Sequence, residues 1–452
     1  MRAPAIRRLD FPYGYALRHM LALHRERLDI RRRQFDRAAI EERQRGALAR
    51  LIEHAYQSCP YYTRLFDQIG LRREPALDLA DLARIPLLTR RALQESFYDL
   101  CSGRADLRHG YIKRTSGSTG EPVRMLFDYT SNMHGHILLL NFVRPYGIRL
   151  QDFAPLRTGV MFVTGFPNSS SFTYLQPQLS LSRFYKLNIH PDQWGSPLQM
   201  LQFISARRPL IITGMPEHLQ QLQRTAQAAD PSSRWPIQPH LLIASGDKLS
   251  PDASARLERA FQAPVVDIYA MSEIGYMAVA CVMGAGYHVD DSLIVEIVHP
   301  DGTPAAEGEL GEIVVTSLRN FALPLIRYRT GDIGRMAASA CPCGSCWPLL
   351  DTIEGRVSEF LVRPDGSLLS PFVLARRLQQ LPLAQYQVVQ QSPLRALVRY
   401  IADDDGTLAG RIIEAMREAL DPQVQVQVER VTSIGEPGRK TQSFIAGETG
   451  EP

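Results

Sequence analysis

Apolar residues recur at the three- and four-residue spacing of a helix between about residues 35 and 70. The positions that carry this stripe are Ala47, Leu48, Leu51, Ile52, Ala55 and Tyr56. Such a period predicts an amphipathic helix. Cys59-Pro60 ends the run, because the residue before a proline disfavours helical backbone. The apolar residues that follow the proline, such as Leu65 and Phe66, predict core packing rather than a ligand site.

From about residue 110 to residue 330, short β-rich runs alternate with helical segments. The runs lie at 160–163, 210–213, 241–244 and 265–269, and several lead into Gly, Ser or Asp. Buried strands that lead into functional loops have this pattern. It predicts an α/β domain that binds its ligands at the carboxyl ends of the strands. Residues 291–316 predict β-hairpins with turns at Asp301-Gly302 and around Gly308.

After Gly355 the pattern changes to that of a smaller α+β unit. A strand, a turn at Asp365-Gly366, a helix over 371–381, further strands and a helix over 408–420 follow one another. We therefore predict two domains, a large one over residues 1–354 and a small one over residues 355–452.

Composition and charge are those of an ordinary globular protein. Of the 452 residues 45% are hydrophobic and 22% are charged, with a net charge of +4. The basic run at 31–33 could contact nucleic acid or anionic lipid, but nearby Asp29, Asp36 and Glu41 favour a solvated helix face. No apolar run is long enough for a bilayer, and the N-terminus lacks a secretory signal. We expect a cytoplasmic protein with neither a nucleic-acid nor a membrane partner.

Hydroxyl residues and glycines crowd into one segment that follows a predicted strand. The segment is Thr115, Ser116, Gly117, Ser118, Thr119 and Gly120. Glycine permits the backbone conformations that turn successive amides toward one anion, so the segment is typical of a phosphate-binding loop. It is not a Walker loop, since no Gly-Lys-Ser/Thr ends it. A flexible surface loop of the same composition is the alternative, and other motifs must decide.

Four further motifs follow in order. They are Asp267-Ile268-Tyr269-Ala270-Met271-Ser272-Glu273, the stretch 323–332 that ends in Asp332, Gly355-Arg356, and Gly438-Arg439-Lys440. Tyr269 could pack on a purine, Glu273 offers the hard oxygen ligand that Mg²⁺ prefers, and Asp332 suits a ribose diol. Each has an ordinary alternative, since a strand tyrosine is usually core and an aspartate after glycine is usually part of a turn.

Together and in this order, the motifs resemble the adenylate-forming superfamily. The resemblance is greatest to its phenylacetate–CoA ligase-like branch, which includes the group named for capsular-polysaccharide proteins, and it runs from about residue 35 to the C-terminus. It implies an α/β fold, with a large N-terminal domain of β-sheets flanked by helices and a small mobile α+β C-terminal domain. It also implies an ATP-dependent, AMP-forming ligase that activates a small, aryl carboxylic acid and transfers the acyl group to a thiol such as CoA.

The resemblance also implies roles for individual residues. Thr115 through Gly120 would hold the β- and γ-phosphates of ATP. The residues that would border the adenine are Ser245, Gly246, Asp267, Ile268 and Tyr269. Ser272 would lie near the α-phosphate and Glu273 would bind Mg²⁺. Asp332 would bind the ribose hydroxyls, with Arg356 nearby. Lys440 would bridge the carboxylate of the acid and the α-phosphate.

Three departures from the family pattern keep alternatives open. The tail has Gly438-Arg439-Lys440 where relatives have Gly-Lys, so either Lys440 or Arg439 occupies the lysine position; Phe444, four residues further on, favours Lys440. Glu359 stands at the hinge position, and the post-hinge segment 362–369 lacks the Val-Asn pair usual in CoA ligases. The usual glycine before the Ser/Thr-Glu pair is replaced by Ala270-Met271. The acceptor is therefore a thiol or an amine, another oxyacid such as nitrite could replace the carboxylate, and a non-catalytic nucleotide-binding protein is the third alternative.

The branch also suggests an interpretation of the cysteines. Cys281, His288, Cys341 and Cys343 match a set found in some relatives and would form a closed Cys₃His site for structural Zn²⁺. Cys346 is a substitute ligand, and four unrelated residues are the alternative. Segments 162–167 and 213–216 are expected to line the acid pocket, although core packing explains them almost as well. A homodimer is compatible with these expectations.

Overall fold

A computed structural model of the chain describes most of its residues. The described residues are 6–8, 13–71, 79–105, 110–114, 122–229, 237–299, 301–356, 361–369, 371–378, 380–383, 385–402, 406–432, 434 and 444–445. They fall into two compact units. The first comprises Met1–Glu296, Val314–Tyr328 and Met336–Asp351, and the second comprises Ile297–Ile313, Arg329–Arg335 and Thr352–Pro452.

The helices and strands are as follows. The helices are α1 (Tyr13–Arg33), α2 (Arg37–Ser58), α3 (Pro60–Gln68), α4 (Arg90–Glu95), α5 (Phe97–Leu100), α6 (Tyr129–Val143), α7 (Pro197–Arg207), α8 (Pro216–Ala229), α9 (Pro251–Phe261), α10 (Pro371–Leu378) and α11 (Leu408–Ala419). The strands are β1 (Arg7–Arg8), β2 (Tyr111–Arg114), β3 (Arg124–Phe127), β4 (Thr158–Thr164), β5 (Phe172–Gln176), β6 (Ser182–Asn188), β7 (Ile211–Gly214), β8 (Leu241–Ser245), β9 (Val265–Met271), β10 (Gly275–Ala280), β11 (Tyr287–Val289), β12 (Leu293–Val298), β13 (Gly311–Ser317), β14 (Tyr328–Met336), β15 (Leu349–Arg356), β16 (Leu361–Val362), β17 (Leu368–Leu369), β18 (Gln385–Ser392), β19 (Arg395–Ile401), β20 (Gln425–Arg430) and β21 (Phe444–Ile445).

The large sheet of the first unit has a parallel centre. Its strands follow the order β1-β5-β6-β4-β7-β8-β9-β10-β11-β15. Strands β6, β4, β7, β8 and β9 are parallel to one another, whereas β5 pairs antiparallel with β6, and the pairs β9–β10, β10–β11 and β11–β15 are antiparallel. All four β-rich runs predicted between residues 160 and 269 are strands of this sheet, so that part of the prediction is confirmed.

Alternate side chains of the central strands enter two different cores. Ile211 and Leu241 pack with residues of α1 and α6 on one face. Ile212 and Leu242 pack with residues of α7, α8 and α9 on the other face. Because both faces are covered, these strands are apolar at nearly every position rather than at alternate ones. The predicted α/β class is confirmed.

The N-terminal helices follow the predicted stripe. Helix α2 buries Leu48 and Leu51 and begins at the N-cap Asp36, whose carboxylate accepts a hydrogen bond from the backbone nitrogen of Ala39 at 3.1 Å. Helix α3 starts at Pro60, a position where the missing N–H of proline costs nothing. The break at Cys59-Pro60 is therefore where the sequence predicted it.

The second unit has its own sheet and core. Strands β20, β19, β18 and β21 form a four-stranded sheet, and α10 and α11 bury Leu374 and Ile412 in the same core. The predicted helices over 371–381 and 408–420 correspond to α10 and α11. The predicted Asp365-Gly366 turn joins β16 and β17, and Gly366 has a φ of 85° there.

The boundary between the units falls inside strands β12, β13, β14 and β15, each of which has residues in both. The proposed division at 354/355 stays a prediction, since residues 357–360 lie outside the described residues. Among the described helices none is both long and apolar enough to cross a membrane.

Candidate active site and metal cluster

The predicted adenine-binding residues lie on two neighbouring strands of the large sheet, at or near their carboxyl ends. Strands β4, β7, β8 and β9 run in the same direction, so their carboxyl ends lie side by side. In the register of the sheet Gly214 is the neighbour of Ala244, and Ser245 is the neighbour of Ile268. The loop after β8 and the end of β9 are therefore adjacent, as ligand sites of open α/β sheets require.

The predicted adenine-binding residues form one part of this edge. Gly246 turns the chain after β8 with a φ of 86°, a conformation that a residue with a side chain rarely adopts. On β9, Asp267 accepts a hydrogen bond from the Tyr287 hydroxyl at 2.7 Å. Burial raises the pKa of Asp267 to about 6, against the lowering effect of the Tyr287 hydrogen bond and of Lys248. Asp267 is therefore only partly ionised at slightly acidic pH.

Ser272 and Glu273 lie in the turn between β9 and β10. The turn is narrow, since Met271 pairs with Gly275 across the two strands. Glu273 is only 5% exposed, yet its carboxylate forms a salt bridge with the Arg90 guanidinium at 3.0 Å. Arg90 is the first residue of α4, which the sequence analysis had not connected with the site. A buried carboxylate in such a turn can bind a cation.

A second cation lies near Glu273. Desolvation lowers the pKa of the Lys113 ammonium, and the Glu273 carboxylate opposes that shift. Lys113 belongs to β2, the strand that leads directly into the predicted phosphate loop 115–120. The loop lies outside the described residues, as Glu121 does, so its conformation is not described. Thr115, the first residue of the loop, follows Arg114 at the end of β2 and is two positions after Lys113 in the sequence.

Arg319 binds the backbone of the turn between β9 and β10, although no sequence motif indicated it. Its guanidinium donates to the carbonyl oxygens of Ile274 at 3.2 Å and Tyr276 at 2.5 Å. It also forms a salt bridge with the buried Asp290 at 3.1 Å. The signal in the sequence was the pair Asp290-Asp291 in an otherwise apolar stretch, since buried carboxylates require a counter-ion.

The two segments predicted to line the acid pocket are neighbours. Val163 on β4 pairs with Gly214 on β7, so the loops 165–167 and 215–216 leave the sheet side by side. His218 on α8 packs edge-to-face on Phe166, with ring centroids 4.7 Å apart. Burial lowers the pKa of His218 to about 4, so the imidazole is neutral at physiological pH. Its Nδ1 is buried without a hydrogen-bond partner among the described residues.

The stretch 323–332 divides between the two units. Arg327, at a φ of 51°, is almost fully buried; its guanidinium binds the Glu296 carboxylate at 3.0–3.1 Å and the backbone oxygens of Ala83 and Ile85. In the second unit, Arg329 donates to Glu312 at 2.8 Å. Arg327 and Arg329 thus form ion pairs within the protein, which stabilise the chain near Asp332.

The remaining predicted residues belong to the second unit, and most of them lie outside the described residues. Asp332 is half-buried on β14, where its backbone nitrogen donates to the Thr330 hydroxyl at 3.0 Å. The side chain of Arg356 at the end of β15 lies outside the described residues, as do Glu359, Arg439 and Lys440. The tail is described again at Phe444, which pairs with Val388 in β18 and is buried. Lys440 therefore lies four residues before a point where the tail joins the sheet of the second unit.

The four predicted zinc ligands come together in the first unit. Their ligand atoms, the sulfur atoms of Cys281, Cys341 and Cys343 and an imidazole nitrogen of His288, all lie within 4.8 Å of one another. The Cys281 and Cys341 sulfur atoms are 3.4 Å apart, and His288 Nε2 is 3.2 Å from the Cys343 sulfur. Ligands about 2.3 Å from a tetrahedral zinc ion are about 3.8 Å apart, so the donor set and its spacing fit such an ion.

Local turns present these ligands. Cys281 follows β10, and its backbone nitrogen donates to the Gly286 carbonyl at 2.7 Å across the turn that leads to His288. Gly286 has a φ of 124°, and a Cβ atom there would lie 2.3 Å from the Leu350 carbonyl oxygen of β15. The strand that carries His288 can therefore approach β15 only with glycine at this position. Cys346 is not part of the cluster; it packs against the core beneath α1 and α6.

Comparisons with known proteins find several phenylacetate-coenzyme A ligases. No family model matches the chain. The phenylacetate-coenzyme A ligase of Thermus thermophilus is 26% identical over 348 residues, which are 75% of this chain and 74% of that protein. The phenylacetate-coenzyme A ligase of Escherichia coli is 26% identical over 346 residues, 72% of this chain and 74% of that protein.

Solved structures agree at the level of the fold. A 2-hydroxyisobutyryl-CoA ligase in complex with an acyl-AMP superposes with a TM-score of 0.70 at 18% identity, over 90% of each chain. An anthranilate CoA ligase in complex with anthranoyl-AMP gives a TM-score of 0.50 at 15% identity, over 74% of this chain and 64% of that one. The predicted large domain with flanked sheets is thus the fold of these proteins.

Proposed function

Since the chain belongs to the adenylate-forming superfamily, in its phenylacetate–CoA ligase-like branch, we propose that it activates a carboxylic acid with ATP and transfers the acyl group to CoA. The proposal rests mainly on the residues at the carboxyl edge of the large sheet. There Ser245 neighbours Ile268 on β9, and Glu273 in the turn after β9 pairs with Arg90 and lies near Lys113 of β2, the strand that leads into the predicted phosphate loop. The similarity to phenylacetate-coenzyme A ligases over about three quarters of the chain supports the same activity.

The first half-reaction joins two anions, the acid and the nucleotide. A carboxylate oxygen of the acid attacks the α-phosphorus, the bond to the bridging oxygen breaks, and pyrophosphate leaves. Mg²⁺, when bound, offsets the repulsion and stabilises charge on the phosphates. Glu273 would hold it, and the nearby Arg90 would then be released from its salt bridge with Glu273 to face the phosphates. Lys440 remains the proposed bridge between the carboxylate and the α-phosphate.

The second half-reaction transfers the acyl group. The thiol of CoA loses its proton to solvent and its sulfur attacks the carbonyl carbon; the carbon–oxygen bond to the phosphate breaks, and AMP leaves with that electron pair. We propose that the small domain after residue 354 turns about a hinge near Glu359 between the two steps. One active site then serves both half-reactions.

A flat, aryl acid is the proposed substrate class. Phe166 and the loop after β7 supply an apolar surface, and His218 closes it with an edge-to-face contact. The buried, neutral His218 also offers its unpaired Nδ1 to a polar substituent of the acid. Pockets of this kind are mainly apolar, with a few polar groups that orient the ligand.

One experiment tests the function. The full-length protein is incubated with Mg²⁺, ATP and a panel of aryl acids, alkyl acids and nitrite, and pyrophosphate release is followed with and without CoA or an amine. We expect acid-dependent release and a CoA thioester by mass spectrometry. Glu273→Gln should lower the rate about 100-fold, whereas Glu95→Gln, which alters an exposed ion pair with Arg91, should not.

The outcomes separate the alternatives. Release that needs no acid, or no release at all, excludes the ligase and leaves a nucleotide-binding protein. Release that is unaffected by CoA and ends in an amide excludes only CoA as the acceptor. Release with nitrite alone points to an oxyacid other than a carboxylate.

We also propose that Cys281, His288, Cys341 and Cys343 bind one structural Zn²⁺. Support comes from the convergence of three thiols and an imidazole within 4.8 Å, a closed set that leaves no open position for catalysis. Metal analysis should give one zinc per chain in the wild type and in Cys346→Ala, and far less in Cys343→Ala. Equal, negligible zinc in all three proteins excludes the site.

A further inference from the structure

Four arginines from neighbouring segments of the first unit form one cluster. Arg27 and Arg31 are one turn apart on α1, Arg144 follows α6, and Arg149 comes five residues later. Burial lowers the pKa of Arg27, and the charges of Arg31 and Arg144 lower it further. Burial, Arg31 and Arg149 act on the pKa of Arg144 in the same direction. We call these four residues the arginine cluster.

The arginine cluster has no counter-ion among the described residues. Arg33, two residues from Arg31, binds Asp291 at 2.9 Å and Glu26 at 3.3 Å, and Arg32 is 4.0 Å from Asp29. The solvated, paired helix face expected for the run at 31–33 therefore holds for Arg32 and Arg33 but not for Arg31.

Two atoms of the arginine cluster are also buried without a partner. The Nε atoms of Arg27 and Arg31 are inaccessible to solvent and form no hydrogen bond with the described residues. Asp152 lies close in sequence, but its carboxylate accepts a hydrogen bond from the backbone nitrogen of Arg149 at 2.7 Å. An N–H group buried without a hydrogen-bond partner is costly, and the guanidinium groups of Arg144 and Arg149 belong to exposed residues. The cluster is therefore prepared to bind an anion from outside the chain.

Two exposed leucines lie beside the arginine cluster. Leu156 is 65% exposed and Leu181 is 44% exposed. Their loops are joined, because the Leu156 nitrogen donates to the Leu181 oxygen at 3.0 Å, and the Ser180 hydroxyl is bonded at 3.4 Å to the oxygen of Leu150, which follows Arg149.

Both leucines have left-handed backbone, with φ values of 63° and 57°. This conformation is costly for a leucine, since it brings the Cβ atom close to the backbone. Arg157 and Arg183 add two more cations, since Arg183 donates its backbone nitrogen to the Arg157 oxygen at 2.7 Å.

This surface lies far from the candidate active site in the topology of the sheet. Thr158 and Ser182, next to Arg157 and Arg183, are the first residues of the parallel strands β4 and β6. The surface is therefore at the amino edge of the sheet, whereas Ser245 and Glu273 lie at the carboxyl edge. It plays no part in the proposed adenylation.

We propose that the arginine cluster with Leu156 and Leu181 is a docking surface for an anionic phospholipid bilayer. Guanidinium groups bind phosphates through paired hydrogen bonds, and each basic residue near an anionic membrane contributes about 1 kcal/mol. The leucines insert their side chains beneath the headgroups, as the apolar face of a peripheral protein does. The protein docks on the bilayer and does not span it.

Other occupants fit this surface less well. A single-stranded nucleic acid is bound through stacking on aromatic rings, and the exposed apolar residues of this surface are leucines. A second copy of the chain would bring the same cations together, which like-charge repulsion opposes. A soluble phosphate compound would use the arginines but leave the leucines without a role.

The test is co-sedimentation of the full-length protein with vesicles of phosphatidylcholine, alone or mixed with phosphatidylglycerol. We expect binding to the mixed vesicles only, with an affinity that falls as salt is added. Arg144→Gln with Arg149→Gln should weaken binding about 30-fold, from two contributions of about 1 kcal/mol each. Leu156→Ser with Leu181→Ser should weaken it as well.

The matched control is Arg64→Gln with Arg91→Gln, which removes two exposed, ion-paired arginines of the same unit. It should bind vesicles as the wild type does. The proposal is overturned if the wild type binds no vesicles, or if the control loses as much affinity as the cluster variant. It is also overturned if the leucine variant binds normally and inorganic pyrophosphate displaces the protein, which would assign the cluster to a soluble phosphate.

Discussion

At the scale of single residues, the motif at 323–332 contains both a residue that stabilises the fold and a candidate ligand-binding residue. Arg327 belongs to the stretch that most resembles the nucleotide-binding pattern. Its guanidinium nevertheless forms an ion pair with Glu296 and donates hydrogen bonds to the carbonyls of Ala83 and Ile85. A buried guanidinium is tolerated because all of these partners satisfy it. The neighbouring Asp332 is the half-buried member of the same stretch. A sequence pattern alone does not separate such roles.

The raised pKa of Asp267 predicts a pH-dependent stability. Its pKa in the folded protein is about 6, above the ordinary 3.8, so the folded state binds the proton more tightly than the unfolded state. The contribution of Asp267 to the free energy of unfolding is therefore greatest below pH 3.8 and falls as pH rises through about 6, by about 3 kcal/mol at most. In Asp267→Asn this position cannot titrate.

Thermal unfolding of the wild type and Asp267→Asn between pH 4.5 and pH 8 measures this difference. We expect the variant to gain stability relative to the wild type as pH rises from 4.5 to about 6, with little further change above about pH 7. The charged and titratable neighbours are Lys248, Tyr287 and Tyr146. A difference between the two proteins that is the same at every pH contradicts the prediction.

Removal of the Arg319 side chain should destabilise the first unit. Arg319→Met removes the salt bridge of the buried Asp290 and leaves only the more distant Arg43 as a counter-charge, and we expect a loss of about 3 kcal/mol in the free energy of unfolding. Asp290→Asn in the same chain should recover part of it, because the unpaired charge is gone. Arg91→Met, at an exposed ion pair, should cost less than about 0.5 kcal/mol by urea denaturation.

At the scale of secondary-structure elements, buried strands were the best-predicted feature. Strands β4, β7, β8 and β9 carry continuous apolar runs, because both faces of the sheet are covered by helices. Helix α2 was also predicted, since its apolar stripe and the Cys59-Pro60 break mark its face and its end. Helix α1 has no comparable stripe and contains many charges, so periodicity alone did not predict it.

The approach of β11 to β15 depends on one glycine. In Gly286→Ala the new Cβ atom would meet the Leu350 carbonyl oxygen at 2.3 Å, and the backbone φ of 124° is strained for alanine. We expect a loss of more than about 2 kcal/mol in stability and a lower zinc content, because β11 carries His288. Gly135→Ala, where no atom lies within 4 Å, is the control. Equal effects of the two substitutions contradict the prediction.

At the scale of the whole molecule, the proposed zinc site joins distant parts of the first unit. The ligands come from two segments, one with Cys281 and His288 and the other with Cys341 and Cys343. Cys281 and Cys341 are 60 positions apart in the chain. A metal that both segments bind only in the folded protein raises the free energy of unfolding, because the site does not exist in the unfolded chain.

Removal of the metal should therefore lower the stability of the whole unit. We expect a strong zinc chelator to lower the unfolding temperature of the wild type by roughly 5 °C or more. Cys346→Ala should respond as the wild type does, whereas Cys343→Ala should start lower and change little. An unfolding temperature that the chelator leaves unchanged in all three proteins contradicts a structural metal.

The sequence by itself determined the fold class, the order of the elements and the order of the chemical motifs. These features depend on local periodicity, on turn residues and on spacing along the chain, all of which are visible in one dimension. Only the tertiary structure decided that Arg90 and Lys113 lie near Glu273, that Arg319 supports the same turn, and that the arginine cluster has no counter-ion among the described residues. The physical reason is that charge pairing and burial depend on distances between segments far apart in the chain, which the pairing of strands and the packing of helices establish.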